Sequence, residues 1–117
     1  MSAKDKIKFV KKNASSDYAN FFSDDVSDDR RRYILKFMIK GTGSADTLTI
    51  AKVERDDSQT EFFDKYVNAN TNIEVPAGAP DPEKPLLVLE GGTNLALKSS
   101  GGQAISVTVI YYDNEIA

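Results

Sequence analysis

Residues 85–112 read PLLVLEGGTNLALKSSGGQAISVTVIYY, and this stretch decides the fold. Its three apolar runs are separated by two clusters of Gly, Ser, Thr and Asn. In the last run, ISVTV at 105–109, branched apolar side chains alternate with hydroxyl side chains, which is the period of a strand with one buried face. The spacing predicts short antiparallel strands joined by tight turns.

The same signals continue through most of the chain. YILKFMIK at 33–40 and TLTIAKV at 47–53 alternate in the same way, and the small residues between them predict a hairpin. The predicted strands are all short and flanked by turn residues. They cover about 6–11, 32–40, 46–54, 61–67, 72–75, 86–90, 94–98 and 103–112. Without a helical period, we expect an all-β protein, a single antiparallel β-sandwich of seven or eight short strands that is jelly-roll-like.

The charge and composition of the chain argue against several classes of function. A chain of 117 residues with 15 Lys plus Arg and 18 Asp plus Glu has a formal net charge of −3, so it lacks the basic field that holds nucleic acid. It has no Cys, His or Trp, which removes disulfides, thiolate metal sites and the commonest general base. No apolar run reaches the roughly 20 residues that span a bilayer, and the first residues lack a secretory signal pattern. We therefore expect a protein that is not an enzyme, with no cofactor and no nucleic-acid or membrane partner.

The N-terminal quarter differs from the remainder. Residues 4–12 are rich in lysine and alternate with apolar residues, as in an edge strand that discourages further pairing or meets an acidic partner. Residues 13–29, NASSDYANFFSDDVSDD, have no period but carry three aromatic rings. These rings either cover the sandwich as a flap or insert into a neighbouring subunit. We divide the chain into an edge strand with an extended irregular arm at 1–31 and a sandwich core at 32–117.

An acidic segment has two possible interpretations. The doublets at 24–25 and 28–29 are aspartates and offer oxygen ligands for Ca²⁺, but the arginines at 30–32 are closer partners, so we predict a solvated charge cluster and no metal.

A proline-rich segment follows the fifth predicted strand. PAGAPDPEKP at 76–85 contains four prolines and cannot continue the hydrogen-bond ladder of a sheet. It is read as a stiff loop between sheets, with a PxxP peptide ligand as the alternative.

A family resemblance adds to this interpretation. The chain between about 32 and 113 resembles small β-sandwich virion structural proteins of tailed bacteriophages, head decoration or cement proteins among them. The residues that carry the resemblance are Val75-Pro76-Ala77-Gly78, Leu87-Val88-Leu89, Leu95-Ala96-Leu97, Ser99 to Gly102, and Val107-Thr108-Val109 with Tyr111 or Tyr112. The Pro-rich insertion is longer than is usual in those proteins.

The resemblance implies a non-enzymatic virion protein that stabilises the head shell by clamping neighbouring capsid subunits. Its partners would be the major capsid protein and copies of itself, possibly as a trimer, on the capsid surface after synthesis in the host cytoplasm. The candidate partner-binding residues are Lys6, Lys8, Tyr18, Phe21, Phe22, Arg30 and Arg31. The alternatives are a neck or tail-fibre component, or a carbohydrate-binding module that uses Tyr66, Tyr111 and Tyr112.

Overall fold

The structure, a computed structural model, describes residues 7–115, which form nine strands and no helix. The strands are β1 (Lys8–Asn13), β2 (Ala19–Asn20), β3 (Arg30–Lys40), β4 (Asp46–Val53), β5 (Gln59–Val67), β6 (Asn72–Val75), β7 (Leu87–Leu89), β8 (Asn94–Ser99) and β9 (Ser106–Glu115). Each of the eight predicted strands is present near its predicted bounds. The ninth, β2, is only two residues long and leaves no pattern in the sequence.

The strands form two antiparallel sheets. One has the order β1-β9-β3-β6, with β7 also paired to β3, and the other has the order β2-β8-β4-β5. The chain crosses from one sheet to the other between most consecutive strands, and these orders are those of a jelly roll made from two Greek keys. The predicted all-β, jelly-roll-like sandwich is confirmed.

The predicted hairpin between β3 and β4 is wrong. β3 pairs with β9, β6 and β7, whereas β4 pairs with β5 and β8 in the opposite sheet. Both strands have one strongly apolar face, and placing them in different sheets lets the two faces meet across the core. For the same reason β7, β8 and β9 alternate between sheets instead of forming a meander. The turn residues were located correctly, but a turn signal does not say in which sheet the next strand lies.

The segment predicted as an irregular arm belongs to the sandwich. β1 pairs along its whole length with β9, and β2 pairs with β8. Between them, the Ala14 backbone N–H donates to the Ile105 carbonyl at 2.8 Å, which ties the connection to the start of β9. The boundary predicted near residue 31 therefore separates strands that share a sheet. Lys4 and Lys6 lie outside the described residues.

The core lies between the two sheets and is closed by apolar side chains from both. Its fully buried members include Ile34, Phe37, Leu48, Ile50, Leu89, Leu95, Leu97, Ile105, Val107 and Val109. Truncating one of them, for example Leu97→Ala, leaves a cavity and costs about 2–5 kcal/mol of unfolding free energy. This core fixes the positions of the strands and therefore of the outer faces and edges that they present to solvent.

The Pro-rich segment interrupts a single edge strand. β6 pairs with the second half of β3 and β7 with its first half, in the same direction, so residues 76–86 are an insertion within one edge strand and not a connection between sheets. The insertion folds back over the outer face of the sheet. There the ammonium of Lys36, a residue that is only 4% exposed, donates to the Glu74 carboxylate and the Gly78 carbonyl, and the Tyr112 hydroxyl donates to the Pro82 carbonyl at 3.3 Å.

Candidate functional site

The two phenylalanines predicted to anchor a neighbour lie in the chain's own core. Phe21 is 4% exposed and Phe22 is 7% exposed, and both belong to the central apolar cluster. They arrive there because the Phe21 backbone N–H donates to the Leu95 carbonyl at 2.7 Å and the Val26 N–H to the Thr93 carbonyl at 3.0 Å. This corrects the prediction that the rings project toward a partner, since such a role would require them to leave a packed core. Of the two alternatives drawn from the sequence, the structure has the flap.

Phe22 also forms one wall of a cleft of about 590 Å³ between the β2–β3 connection and the five-stranded sheet. Arg32 lies across it, with its guanidinium carbon 4.1 Å from the centre of the Phe22 ring and 4.9 Å from that of Tyr111. One edge of the guanidinium donates to Asp113, from Nε to Oδ1 at 2.7 Å and from Nη2 to Oδ2 at 2.9 Å. The Arg32 cation in this cleft is therefore already paired with a carboxylate of the protein.

Two of the aspartates offered above as cation ligands have protein partners instead. The Asn94 side-chain amide donates to Asp25 Oδ1 at 3.0 Å, and Arg55 forms an ion pair with Asp28. Between residues 7 and 115, no three acidic, His or Cys side chains converge in a way suited to a metal ion. The neutralising arginine for Asp28 comes from the β4–β5 loop and not from the adjacent arginine triplet.

The remaining predicted residues are scattered over different surfaces. Lys8 is exposed on β1, whereas Arg30 is half-exposed and bonds to Glu115 at 3.4 Å. Arg31 is exposed on the same strand as Arg30. Tyr18 lies on the opposite sheet, with the Lys98 ammonium 4.5 Å from its ring centre. Because these residues do not share one surface, the structure does not assemble them into a single site.

A different surface stands out on β1, which is the outer strand of its sheet. Phe9 is 77% exposed, while the neighbouring Val10 packs against the core. Lys8, Lys11 and Lys12 are exposed around the ring. We call Lys8, Phe9, Lys11 and Lys12 the basic edge.

The alternation in the sequence places Ile7 and Phe9 on one side of this strand and Lys6 and Lys8 on the other, and it does not specify which side meets the core. The core-facing residue is Val10, opposite Val109 in the ladder, and Phe9 is opposite Ile110 on the outer face. The register with β9 decides which side is exposed, and a short window of sequence does not contain that register. The available signal was the lysine content, because a strand with four lysines in seven residues from Lys6 to Lys12 cannot bury both faces.

The three tyrosines predicted as a sugar platform have different environments. Tyr66 on β5 is 63% exposed. Tyr111 packs edge-on against Phe22 with ring centres 5.0 Å apart, and Tyr112, 8% exposed, stacks on Tyr33 at 4.9 Å. Burial, followed by the neighbouring Tyr33, raises the pKa of the Tyr112 hydroxyl. Only Tyr66 of the three presents an open ring face to solvent.

Comparisons with known proteins support the fold. The sequence matches no family model and no curated protein. Among solved structures, the chain is similar to a Bacillus protein described as an endospore appendage that forms disulfide-linked pili, with a TM-score of 0.55, 9% identity, and coverage of 95% of this chain and 86% of that chain. A xylan-binding CBM22-1 domain of Paenibacillus barcinonensis Xyn10C gives a TM-score of 0.44 at 8% identity, covering 91% of this chain and 70% of that one.

A structure of infectious bursal disease virus, Gt strain, gives a TM-score of 0.34 at 11% identity and covers 93% of this chain but 33% of that chain. At these identities the likeness concerns the β-sandwich alone, and the two lower scores carry no argument. No helix in the described part of the chain has the length and apolar character needed to cross a membrane. The class that the fold defines is an antiparallel β-sandwich of two sheets.

Proposed function

We propose that this protein is a non-catalytic structural subunit that is built into a larger assembly, and that this assembly is the surface of a virus particle. In that role it decorates the head shell and clamps neighbouring capsid subunits. The observation that carries the proposal is the basic edge, where an aromatic ring, 77% exposed, stands among lysines on an open strand. Exposed apolar groups rimmed by charge are typical of protein-binding surfaces.

The chemistry of the described residues favours binding over reaction. The chain has no His and no Cys. The cleft beside Phe22 holds Arg32 and Asp113 in a closed ion pair, and the buried Asp46 carboxylate is saturated by the hydrogen bonds of a turn. Hydrogen bonds that satisfy these groups within the fold stabilise that fold.

The clamp differs from the one that the sequence suggested. Phe21 and Phe22 are occupied in the core, so the contact surface is the basic edge itself, presented by a rigid sheet. Lysines on this edge fit an acidic surface on the coat protein, and repeated weak contacts on a symmetric lattice raise the effective affinity. The proposed mechanism is therefore a rigid body that bridges subunits.

Purified particles provide the test. Gel analysis with mass spectrometry measures the copy number, and a high number relative to the major coat protein is expected for a decoration protein. Deleting residues 1–29 is unsuitable, because it removes β1 and β2 from both sheets. The sharper variant is Phe9→Ser with Lys11→Glu, compared with Lys84→Glu, an exposed lysine in the Pro-rich insertion.

We expect the basic-edge variant to lose occupancy on particles and the Lys84→Glu control to keep it. Equal occupancy of both would overturn the role of this edge, and complete absence of the protein from particles would overturn the virion proposal. A few copies for each particle would instead identify a neck or tail-fibre component.

A filament subunit is the second candidate, favoured by the likeness to the Bacillus endospore appendage protein described as forming disulfide-linked pili. Because this chain has no Cys, disulfide links are not available to it, and its contacts would be non-covalent. A carbohydrate-binding role has less support, since Tyr111 and Tyr112 are packed and only Tyr66 is open. Negative-stain electron microscopy of the concentrated protein separates fibres from discrete particles.

A further inference from the structure

The sandwich has two open edge strands on opposite flanks. β1 ends one sheet and β5 ends the other, and within residues 7–115 each pairs with a single neighbour, β9 and β4 respectively. β1 and β2 are joined by a short connection at one flank, and β5 and β6 at the other, so β1 and β5 face away from each other. An open edge presents unpaired N–H and C=O groups that can accept another strand.

The most exposed apolar groups are concentrated on these two edges. Among the described residues, the two large apolar side chains with the greatest exposure are Phe9 at 77%, on β1, and Tyr66 at 63%, on β5. Ile7, directly before β1, is 42% exposed, and Phe62 on β5 is 37% exposed. A single subunit leaves both aromatic edges exposed to solvent, and exposed apolar edge strands promote aggregation. Pairing between copies would cover both edges.

The charges of the two edges are complementary. β1 carries exposed Lys8, Lys11 and Lys12, whereas β5 carries exposed Glu61 and Asp64 and one exposed lysine, Lys65, on the face opposite that of Asp64. The loop before β5 adds two further exposed acids at 56–57. Two copies of β1 placed side by side would bring lysines together, so a symmetric β1–β1 contact is disfavoured.

The other edges are poorer acceptors. β2 has only two residues, and the edge formed by β6 and β7 is broken by the Pro-rich insertion at 76–86. β5 is a continuous strand of nine residues with one irregularity, near Glu61, which leaves a regular stretch from Phe63 to Val67. The edge opposite β1 that can take a strand is therefore β5.

We propose that β1 of one copy pairs antiparallel with β5 of the next copy, with Phe9 opposite Tyr66 and Lys11 opposite Asp64. These pairs lie on the same face of the joined sheet. Phe9 and Lys11 are on the outer side of β1, since Val10 between them faces the core, and Tyr66 and Asp64 are on the outer side of β5, beside Thr47 and Thr49. Aromatic and opposite-charge neighbours across strands stabilise a sheet.

This contact joins two different surfaces, so it propagates. A heterologous interface leaves an open β1 at one end and an open β5 at the other, which produces a chain or a closed ring of copies and not a symmetric dimer. The inference rests on the proposed function as an assembly subunit and names the partner of the basic edge, since β5 of the next copy takes the place there of an acidic surface on the coat protein.

A charge exchange on the purified full-length chain tests the register. Sedimentation velocity and multi-angle light scattering measure the mass over a range of concentrations, and we expect species larger than a dimer for the native chain. Lys11→Asp and Asp64→Lys each place like charges opposite each other, and we expect each to weaken association about tenfold. The double variant Lys11→Asp with Asp64→Lys restores an opposite pair and is expected to recover association.

Mixing gives a second readout. The Lys11→Asp chain and the Asp64→Lys chain, each weakened alone, are expected to assemble in alternation when mixed. Both mixed junctions then carry opposite charges, since one pairs the two substituted residues and the other pairs native Lys11 with native Asp64. Phe9→Ser serves as a variant that removes the ring without changing charge, and it should also weaken association. A native chain that stays monomeric, a dimer that persists in Lys11→Asp, or single and double variants that associate equally would overturn the proposal.

The two proposals fail separately. A monomeric chain with a high copy number on particles would overturn the β1–β5 contact and leave the decoration role. If the protein forms oligomers in solution that respond to the charge exchange but is absent from particles, the β1–β5 contact is supported and the decoration role is overturned. A Lys84→Glu chain, altered away from both edges, controls for the general effect of charge.

Discussion

Arg32 and Asp113 form a bidentate ion pair between adjacent strands of the five-stranded sheet. Two N–H groups of the guanidinium donate to the two carboxylate oxygens at 2.7 and 2.9 Å, and the side chains are 16% and 15% exposed. The guanidinium plane also covers the Phe22 ring, with its carbon 4.1 Å from the ring centre. One cation thus links the end of β9, the start of β3 and the flap that carries Phe22.

The first prediction concerns this ion pair. Arg32→Lys keeps the charge but loses the two-pronged donor and the flat surface over Phe22. We expect the free energy of unfolding to fall by about 1–3 kcal/mol, because the partly buried Asp113 carboxylate loses the paired geometry of its two charge-assisted hydrogen bonds. Urea denaturation of the native and variant chains measures this change in unfolding free energy. The matched control is Arg30→Lys, whose partner Glu115 is at 3.4 Å on an exposed surface, and a change there as large as that at Arg32 would contradict the argument.

The second prediction separates the core from the contact surface. Phe22→Ala should lower the unfolding free energy by about 3–5 kcal/mol, since the ring is 7% exposed and closes the core. Phe9→Ala should change it by about 0.5 kcal/mol or less, because Phe9 is 77% exposed. Thermal or urea unfolding of the two variants compares the same residue change in two environments. Similar losses at both positions would contradict the assignment of Phe22 to the core.

The existence of the strands was predictable, because it depends on local alternation in the sequence. The pairing of the strands was not predictable, because it depends on partners that are distant in the sequence. The ISVTV pattern that defines β9 located the core-facing Val107 and Val109 correctly. The turn after β3 looks the same whether the next strand returns beside it or crosses to the other sheet. That choice is made by burial of both apolar faces across the core, which no short window of sequence contains.

The surface was harder to predict than the core. Phe21 and Phe22 lie in a segment without a period, and long-range backbone hydrogen bonds, from Phe21 to the Leu95 carbonyl and from Val26 to the Thr93 carbonyl, hold them against the core. The side of β1 that carries Phe9 is exposed because of the register with β9, which a short lysine-rich strand does not specify by itself. Exposure of a single aromatic ring is thus a tertiary property, although the excess of lysines around it was visible in the sequence.

The third prediction concerns pH. Asp46 is buried, and desolvation opposes its charge, but hydrogen bonds from Ser100, Gln103, Gly101 and Thr47 outweigh that and lower its pKa below the ordinary 3.8. A carboxyl whose folded pKa is lowered stabilises the fold above its unfolded pKa and loses that contribution as pH falls through the folded value.

We therefore expect Asp46→Asn to cost about 2–3 kcal/mol near neutral pH, where the native carboxylate accepts several hydrogen bonds. The difference from the native chain should shrink as pH falls below about 4, because the native carboxyl becomes protonated there as well. Urea midpoints of both chains at a series of pH values measure this. A difference that stays constant, or grows toward acid, would show that Asp46 acts by shape and not by charge.

The fourth prediction uses two glycines. A Cβ atom on Gly91 would lie 2.5 Å from the Asp28 Cα, so the backbone would have to shift. Gly91→Ala should lower the unfolding free energy by about 1–3 kcal/mol through overpacking. At Gly43 a Cβ meets nothing within 4 Å, so Gly43→Ala should be neutral or raise stability by about 0.4–1 kcal/mol. Differential scanning calorimetry separates the two cases, and an unchanged Tm for Gly91→Ala would contradict the close approach.

The last prediction concerns the Pro-rich insertion and its contact with Lys36. The Lys36 side chain is almost fully covered, and its ammonium donates to the Glu74 carboxylate and the Gly78 carbonyl, which holds the start of the insertion against the sheet. Lys36→Met keeps the apolar stem but removes the donor. Losing about 1.4 kcal/mol of this attachment raises the open population about tenfold, and proteolysis rates follow that population.

We expect a glutamyl endopeptidase to cut the Lys36→Met chain after Glu83 about ten times faster than the native chain, with the sandwich otherwise folded by circular dichroism. Lys40→Met is the matched control, because Lys40 lies on the same strand with its side chain exposed, and its cleavage rate should equal that of the native chain. Faster cleavage in both variants would indicate general destabilisation of β3. Equal, slow cleavage in both would show that Lys36 does not hold the insertion in place.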